Sequence, residues 1–291
     1  MRIRLPLAIL LSVAWLLLVS ILISRGGDGA GSTAPLTGDA ATLLRQSQAA
    51  MLDLDSLEAE MTSPWEGREL TYRVAWQRPD SFHILYPNLT VEYETGKDPV
   101  TTDHGLVEAI AIGERMYTRQ CVEEGADCEP WGEGLRDGTY VPMGAIELDP
   151  MWTIELLGLV SDAQVVGQEE VDSVECTHIR GKANITQAMV QSWRRAEEIR
   201  GPLYWGEECM MIDSDAGSSE ECHATTLEEH VAMAEESARV QGQTQATVEV
   251  WVGQDDRLMR RLEFPVLPGV EPTFGFFTFS QFDEVTVEPP K

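Results

Sequence analysis

Between residues 246 and 264 the chain reads ATVEVWVGQDDRLMRRLEF, and its apolar side chains keep to one parity on both sides of a polar turn at 253–256. Ala246, Val248, Val250 and Val252, then Leu258, Leu262 and Phe264, carry the apolar set, while Glu249, Arg261 and Glu263 take the other parity. A repeat of two is the strand repeat, so this run predicts a hairpin with one buried face. The same alternation marks Leu70, Tyr72, Val74 and Trp76, then Phe82, Ile84 and Tyr86, then Leu106, Ile110 and Ile112. One large antiparallel sheet with a single apolar face accounts for all of them. Such a face must either pack beneath helices or hold something apolar.

The chain opens MRIRLPLAILLSVAWLLLVSILISR, with Arg2 and Arg4 ahead of an uncharged run from Leu5 to Ser24. A run of about 20 residues is long enough to cross a bilayer, whereas the core of a cleaved signal is about 7 to 15. Basic residues ahead of the run favour an N-terminus on the inside. No cysteine lies in or just after it to take a lipid, and the small-residue site Ser32-Thr33-Ala34 is followed by Pro35. Residues 1–25 thus read as a cytoplasmic tip and an uncleaved signal-anchor transmembrane helix, a cleaved signal being the alternative. Residues 26–38 are a Gly-rich tether, and residues 39–291 form one domain on the extracytoplasmic side of the cell membrane.

Within that domain, Leu43, Leu44, Ser47, Met51 and Leu54 predict an amphipathic helix over 39–55, with Asp39 as its N-cap. Strands are expected over 57–63, 69–77, 81–86, 89–94, 107–112 and 115–120. Pro150 after Asp149 opens a helix with a stripe at Met151, Ile154, Leu157 and Val160. A strand pair follows over 163–171 and 174–182. Residues 184–240 read as a helical insertion without strands: Met189, Trp193 and Ala196 mark one helix, and Thr226 with Glu229 makes a capping box for another. The last strand, 274–282, carries five phenylalanines.

The order of these segments resembles a known family. AWQRPDSFHILYP, VEAIAIGERMYTR, Trp131, LLGLVSDAQVVGQEEVDSVECTHIRG, VEVWVGQDDRLMRRLEF and FTFSQFDEVTVEPP follow one another as in LolA-like lipoprotein carriers and the related LppX/LprG-type lipid-binding lipoproteins. The resemblance covers most of the chain after residue 39. It implies an α+β fold: a curved antiparallel half-barrel, with helices over the concave apolar face and acyl chains in the cavity. The ligand partner it implies is a lipid or the acyl chains of a lipoprotein. The chain departs from the family in lacking the lipid-modified cysteine, whose place a transmembrane anchor would take, and in the length of 184–240. Candidate cavity residues are Leu70, Tyr72, Val74, Trp76, Phe82, Ile84, Tyr86, Ile110, Ile112, Val250 and Leu262, favoured over plain core by the large aromatics on neighbouring strands.

Charge narrows the function further. With 49 acidic against 21 basic side chains, a net charge of −28 disfavours nucleic acid and docking on an anionic membrane through a basic patch. All five cysteines lie beyond the apolar run, where disulfides persist. Local pairing of Cys121 with Cys128 and of Cys209 with Cys222 is preferred among several connectivities, leaving Cys176 as a buried thiol. Cys222, His223 and His230 do not have zinc-site spacing, and the run from Asp213 departs from a calcium loop, since Ala224 stands where a bidentate Glu is needed. No metal and no cofactor is therefore expected. Without a nucleophile elbow, a Walker loop or a dinucleotide fingerprint, no enzymatic activity is expected either. A binding and carrier role leads. The alternative is an envelope sensor or interaction module of the same fold with an envelope protein as partner. The two insertion helices are expected to lie over the sheet as a lid.

Overall fold

The computed structural model describes residues 3–6, 37–65, 68–79, 81–93, 100–135, 150–200, 207–214, 217–240, 245–264 and 275–290. In chain order the elements are β1 (Ile3–Pro6), α1 (Thr37–Asp53), β2 (Ser56–Trp65), β3 (Arg68–Gln77), β4 (Ser81–Tyr93), β5 (Val100–Ile112), β6 (Arg115–Glu123), β7 (Ala126–Cys128) and β8 (Gly132–Leu135). Then come α2 (Pro150–Leu159), β9 (Ser161–Val171), β10 (Val174–Ala183), α3 (Ile185–Arg200), β11 (Glu207–Ser214), β12 (Gly217–Ala224), α4 (Leu227–Val240), β13 (Ala246–Gly253), β14 (Met259–Glu263) and β15 (Phe276–Ser280).

Among the described residues, thirteen strands form one antiparallel sheet in the order β7-β6-β5-β4-β3-β2-β15-β14-β13-β10-β9, with β1 beside β4 and β8 beside β6. Its two ends do not meet, so the curved sheet is an open half-barrel. Sequential neighbours follow tight turns. The β5–β6 turn uses Gly113 at φ 56°, and the β9–β10 turn places Asp172 and Ser173 at φ 49° and 66°, a pair of positive angles that matches the twist of the flanking strands. Within β5, Gly105 has φ 90° and passes so close to β6 that a Cβ would meet the Cys121 carbonyl.

Directly opposed residues share a face, and the register therefore defines one apolar row across the sheet. Phe82 and Ile84 oppose Trp76 and Val74, which oppose Leu57 and Ala59. Ala59 and Met61 oppose Phe279 and Phe277, Phe277 opposes Leu262, Leu262 opposes Val250, and Val250 opposes Ile179. This row is the sheet side of one contiguous core.

The helices lie on that row. α1 buries Ala40, Leu44, Ser47 and Met51, a stripe at helical spacing, and packs on β9, β13, β14 and α2. α2 is buried nearly all round because it is wedged between sheet and helices: it packs on β10, α1 and α3, and Gly158 leaves room for the Gln48 side chain of α1. α3 is capped by Asn184, whose Oδ1 accepts from the Gln187 amide at 2.9 Å, and packs on α2 and α4. The capping box of α4 is present, with Glu229 N–H donating to Thr226 Oγ1 at 3.3 Å and Thr226 N–H to Glu229 Oε2 at 2.8 Å.

After β15 the chain returns over the start of β2. Asp283 Oδ1 accepts from the amides of Asp55 and Ser56 at 2.6 and 3.3 Å. Ser56 Oγ accepts from Val285 N–H at 3.1 Å, and Gln77 Oε1 from Val287 N–H at 3.0 Å. Val287 is buried by this strap.

Several expectations are corrected. The insertion 184–240 is not free of strands: β11 and β12 form a separate hairpin between α3 and α4. α3 packs on α2 and α4 packs on α3, so their main contacts are not with the sheet. α1 starts at Thr37, which puts Asp39 inside its first turn rather than at the cap. A bulge at Trp251/Val252 seats Met259 rather than Leu258 opposite Val252. The last strand is only Phe276–Ser280; Phe274 lies outside the described residues. At the N-terminus, Ile3–Pro6 pair with Thr90–Tyr93, with Arg4 opposite Glu92. Most of the apolar run and nearly all of the tether lie outside the described residues, among which no helix is long and apolar enough to cross a membrane.

Candidate apolar ligand-binding face

The concave face divides at an aromatic cluster. Trp152 of α2 stacks on Phe264 with ring centroids 6.2 Å apart and meets Phe277 edge-on at 5.5 Å, and Phe264 meets Phe277 at 6.5 Å. On one side of the cluster, α1 and α2 sit on β9, β10, β13 and β14. Val250 and Leu262 lie there, fully buried beneath α1, and are ordinary core. On the other side, β2 to β6 present Leu70, Tyr72, Val74, Trp76, Phe82 and Ile84, all buried, and half-buried Tyr86. The main contacts of the described helices do not fall on these strands.

Two candidates are misplaced. Ala111 and Ala109 oppose Phe82 and Ile84, so the concave side of β5 carries Val107, Ala109 and Ala111. Ile110 opposes His83 and Tyr117, and Ile112 opposes Arg115, on the convex side. Ile110 is buried there outside the main core. On β6, Met116, Thr118 and Gln120 complete the concave row.

The row from Leu70 to Tyr86 is uncharged, with Arg68 opposite Trp65 at its β2–β3 end, and paired charges stand on the other face. Glu108 accepts from Arg119 at 2.6 Å and lies 2.7 Å from His83 Nε2, and Arg119 lies over Trp131. Arg73 bridges Glu124 at 2.6 Å and Glu60 at 3.5 Å. Across β9, β10 and β13, buried His178 sits between Glu169 at 2.9 Å and Glu249 at 2.7 Å and stacks on Trp251 at 4.2 Å. The Trp251 indole N–H donates to Glu169 at 3.0 Å, and this bond, with His178, holds the Glu169 carboxyl below its ordinary pKa. Arg261 closes the row over Trp251 and Phe276.

A second polar cluster lies within the helical layer. Burial pushes the Glu155 carboxyl above its ordinary pKa, opposed by Arg195, whose Nη2 is 2.5 Å away, while Gln48 Nε2 donates at 3.3 Å. No sequence signal singled out Glu155 or Trp152, because neither lies on the stripe of Met151, Ile154, Leu157 and Val160 by which the helix is read.

Cys121 and Cys128 form a disulfide between β6 and β7. Glu108 comes within 4.8 Å of both sulfurs, but the bridge removes the thiolates that a metal would need. Cys209 and Cys222 are directly opposed in the β11–β12 register, and Cys176 is a buried free thiol whose pKa burial raises.

The arrangement defines an α+β half-barrel whose concave side is apolar and partly filled by helices. No known sequence family and no curated protein matches the chain. Solved structures do. LprF from Mycobacterium bovis aligns over 88% of this chain and 99% of its own, with 12% identity and a TM-score of 0.50. The Mycobacterium tuberculosis lipoprotein LppX covers 86% of this chain and 99% of its own at 14% identity and a TM-score of 0.41. A DUF1329 family protein from Desulfovibrio piger covers 86% and 94% at 10% identity and a TM-score of 0.21. The fold is the LppX/LprG, LolA-like fold that the order of sequence segments implies.

Proposed function

We propose that this chain is a membrane-anchored, extracytoplasmic protein that binds a lipid, or the acyl chains of a lipoprotein, on the concave face of β2 to β6 and performs no catalysis. The observation that carries this reading is the uncharged, aromatic-rich row Leu70 to Tyr86, set apart by Trp152 from the half of the sheet that α1 and α2 fill. Burying ten methylenes there is worth about 8 kcal/mol, so one acyl chain suffices without a charged contact. The LprF likeness supports the scaffold. Ile110 and Ile112 leave the proposed lining and Ala109 and Ala111 join it.

Anchoring rests on the uncharged run from Leu5 to Ser24. The Gly-rich stretch left between that run and α1, residues 26–36, has a mean reach of about 18 Å, which keeps the domain beside the bilayer that supplies its ligand. Leu5 and Pro6 would leave β4 when that run is embedded. The test is uptake of a fluorescent acyl-chain probe by the full chain in nanodiscs. Saturable uptake is expected; none would overturn the reading.

A further inference from the structure

We infer that Trp152 fixes the longest acyl chain that the concave site accepts, at about 15 carbons. The inference rests on the lipid-binding reading and deepens it to a chain-length class. Directly opposed residues carry one row across the site: Thr118, Ala109, Ile84, Val74 and Ala59, from β6 through β5, β4 and β3 to β2. The inner residues of this row are buried, whereas Thr118 and its concave neighbours Tyr86, Val107 and Gln120 are half-buried, so the row opens at β6 and deepens toward β2. Beside β2 stands Phe277 of β15, which opposes Met61, and Trp152 meets it edge-on at 5.5 Å. Trp152 and Phe277 are 3% and 2% exposed. Beyond them Leu262, Val250 and Ile179 continue the sheet at 0% exposure, in the half that α1 and α2 cover. A chain that enters at β6 therefore ends against the Trp152 indole.

The order β6-β5-β4-β3-β2 contains four strand spacings. At about 4.8 Å each they span about 19 Å. An extended hydrocarbon advances about 1.3 Å per carbon, because bonds of about 1.5 Å meet at near-tetrahedral angles, so about 15 carbons fill the span. A longer chain leaves its surplus methylenes outside the site. In a bilayer or a micelle those methylenes are buried, and each one that the site cannot cover lowers binding about fourfold. Chains within the limit exchange one apolar environment for another and bind with nearly equal affinity.

The experiment offers the full chain, in mild detergent, an equimolar series of saturated monoacylglycerols of about 10 to about 22 carbons and reads the occupancy of each by native mass spectrometry. Occupancy should stay level to about 15 carbons and then fall about fourfold per added carbon. Trp152→Ala should move the fall to chains longer by about four carbons or more. Phe277→Leu trims the same wall with less loss of packing and should move the fall in the same direction, which decides the matter if Trp152→Ala does not fold. Ile179→Ala opens a cavity behind Leu262 and Val250 and should leave the limit unchanged. Level occupancy through the whole series, a limit that neither wall variant moves, or one that Ile179→Ala moves as far, overturns the role of Trp152 and leaves the lipid-binding reading intact. No monoacylglycerol bound at any length overturns both.

Discussion

Glu155 carries a buried carboxylate between α1, α2 and α3, and its environment sets the direction in which it acts on stability. Its folded pKa is raised, chiefly by burial, so the folded state holds its proton more tightly than the unfolded chain does. That contribution is fully present below the unfolded value and is lost as pH rises through the folded one. Glu169 runs the other way: its lowered pKa gives stability that is present above the ordinary carboxylate range and lost on acidification. Glu155→Gln keeps the donor contact with Gln48 and removes the titration. The variant should lie within about 1 kcal/mol of the parent near neutrality. Between about pH 4 and 7 its melting temperature should fall less, or rise more, than the parent's, measured by circular dichroism. An identical pH profile in the two proteins would assign the pH dependence to other groups.

At the scale of elements, the strap after β15 makes Asp283 a specific anchor. Truncating its side chain leaves the amides of Asp55 and Ser56 without their carboxylate acceptor, and Asp283→Ala should cost about 1–2 kcal/mol in urea denaturation. The register that opposes Cys209 to Cys222 leads to the expectation of a second disulfide. Peptide mapping of the oxidised protein should recover that pair crosslinked, with Cys176 alkylated only after unfolding. A bridge of this loop size is worth about 3 kcal/mol.

The elements also show where sequence patterning reaches its limit. β3 was legible because Leu70, Tyr72, Val74 and Trp76 all fall on the buried parity, and β4 and β13 because most of their large apolar residues do, Leu85 and Trp251 excepted. β5 inverts the rule: its concave positions hold Ala109 and Ala111, its convex ones Ile110 and Ile112, so side-chain size points to the wrong face. β11 and β12 pair with each other apart from the large sheet, and their segments EECMMIDS and GSSEECHA carry no alternating apolar set. The division of the concave face was not legible at all, because it depends on Trp152 reaching Phe264 and Phe277 across more than a hundred residues of chain.

For the whole molecule, 49 carboxylates against 21 cations repel one another in the compact state. Raising NaCl from about 0.05 to about 1 M shortens the screening length from more than 10 Å to about 3 Å and should raise the melting temperature by at least about 5 °C. A melting temperature that is flat or falls with salt would mean that the convex-face ion pairs outweigh the general repulsion.

The central claim is that the concave half of the sheet holds lipid. Its most direct test is native mass spectrometry of the full chain, released from membrane into mild detergent, with the bound material extracted and identified. The account predicts a discrete mass adduct of one lipid per chain that is lost on extraction. A chain recovered only at its own mass, with no lipid in the extract, would contradict it.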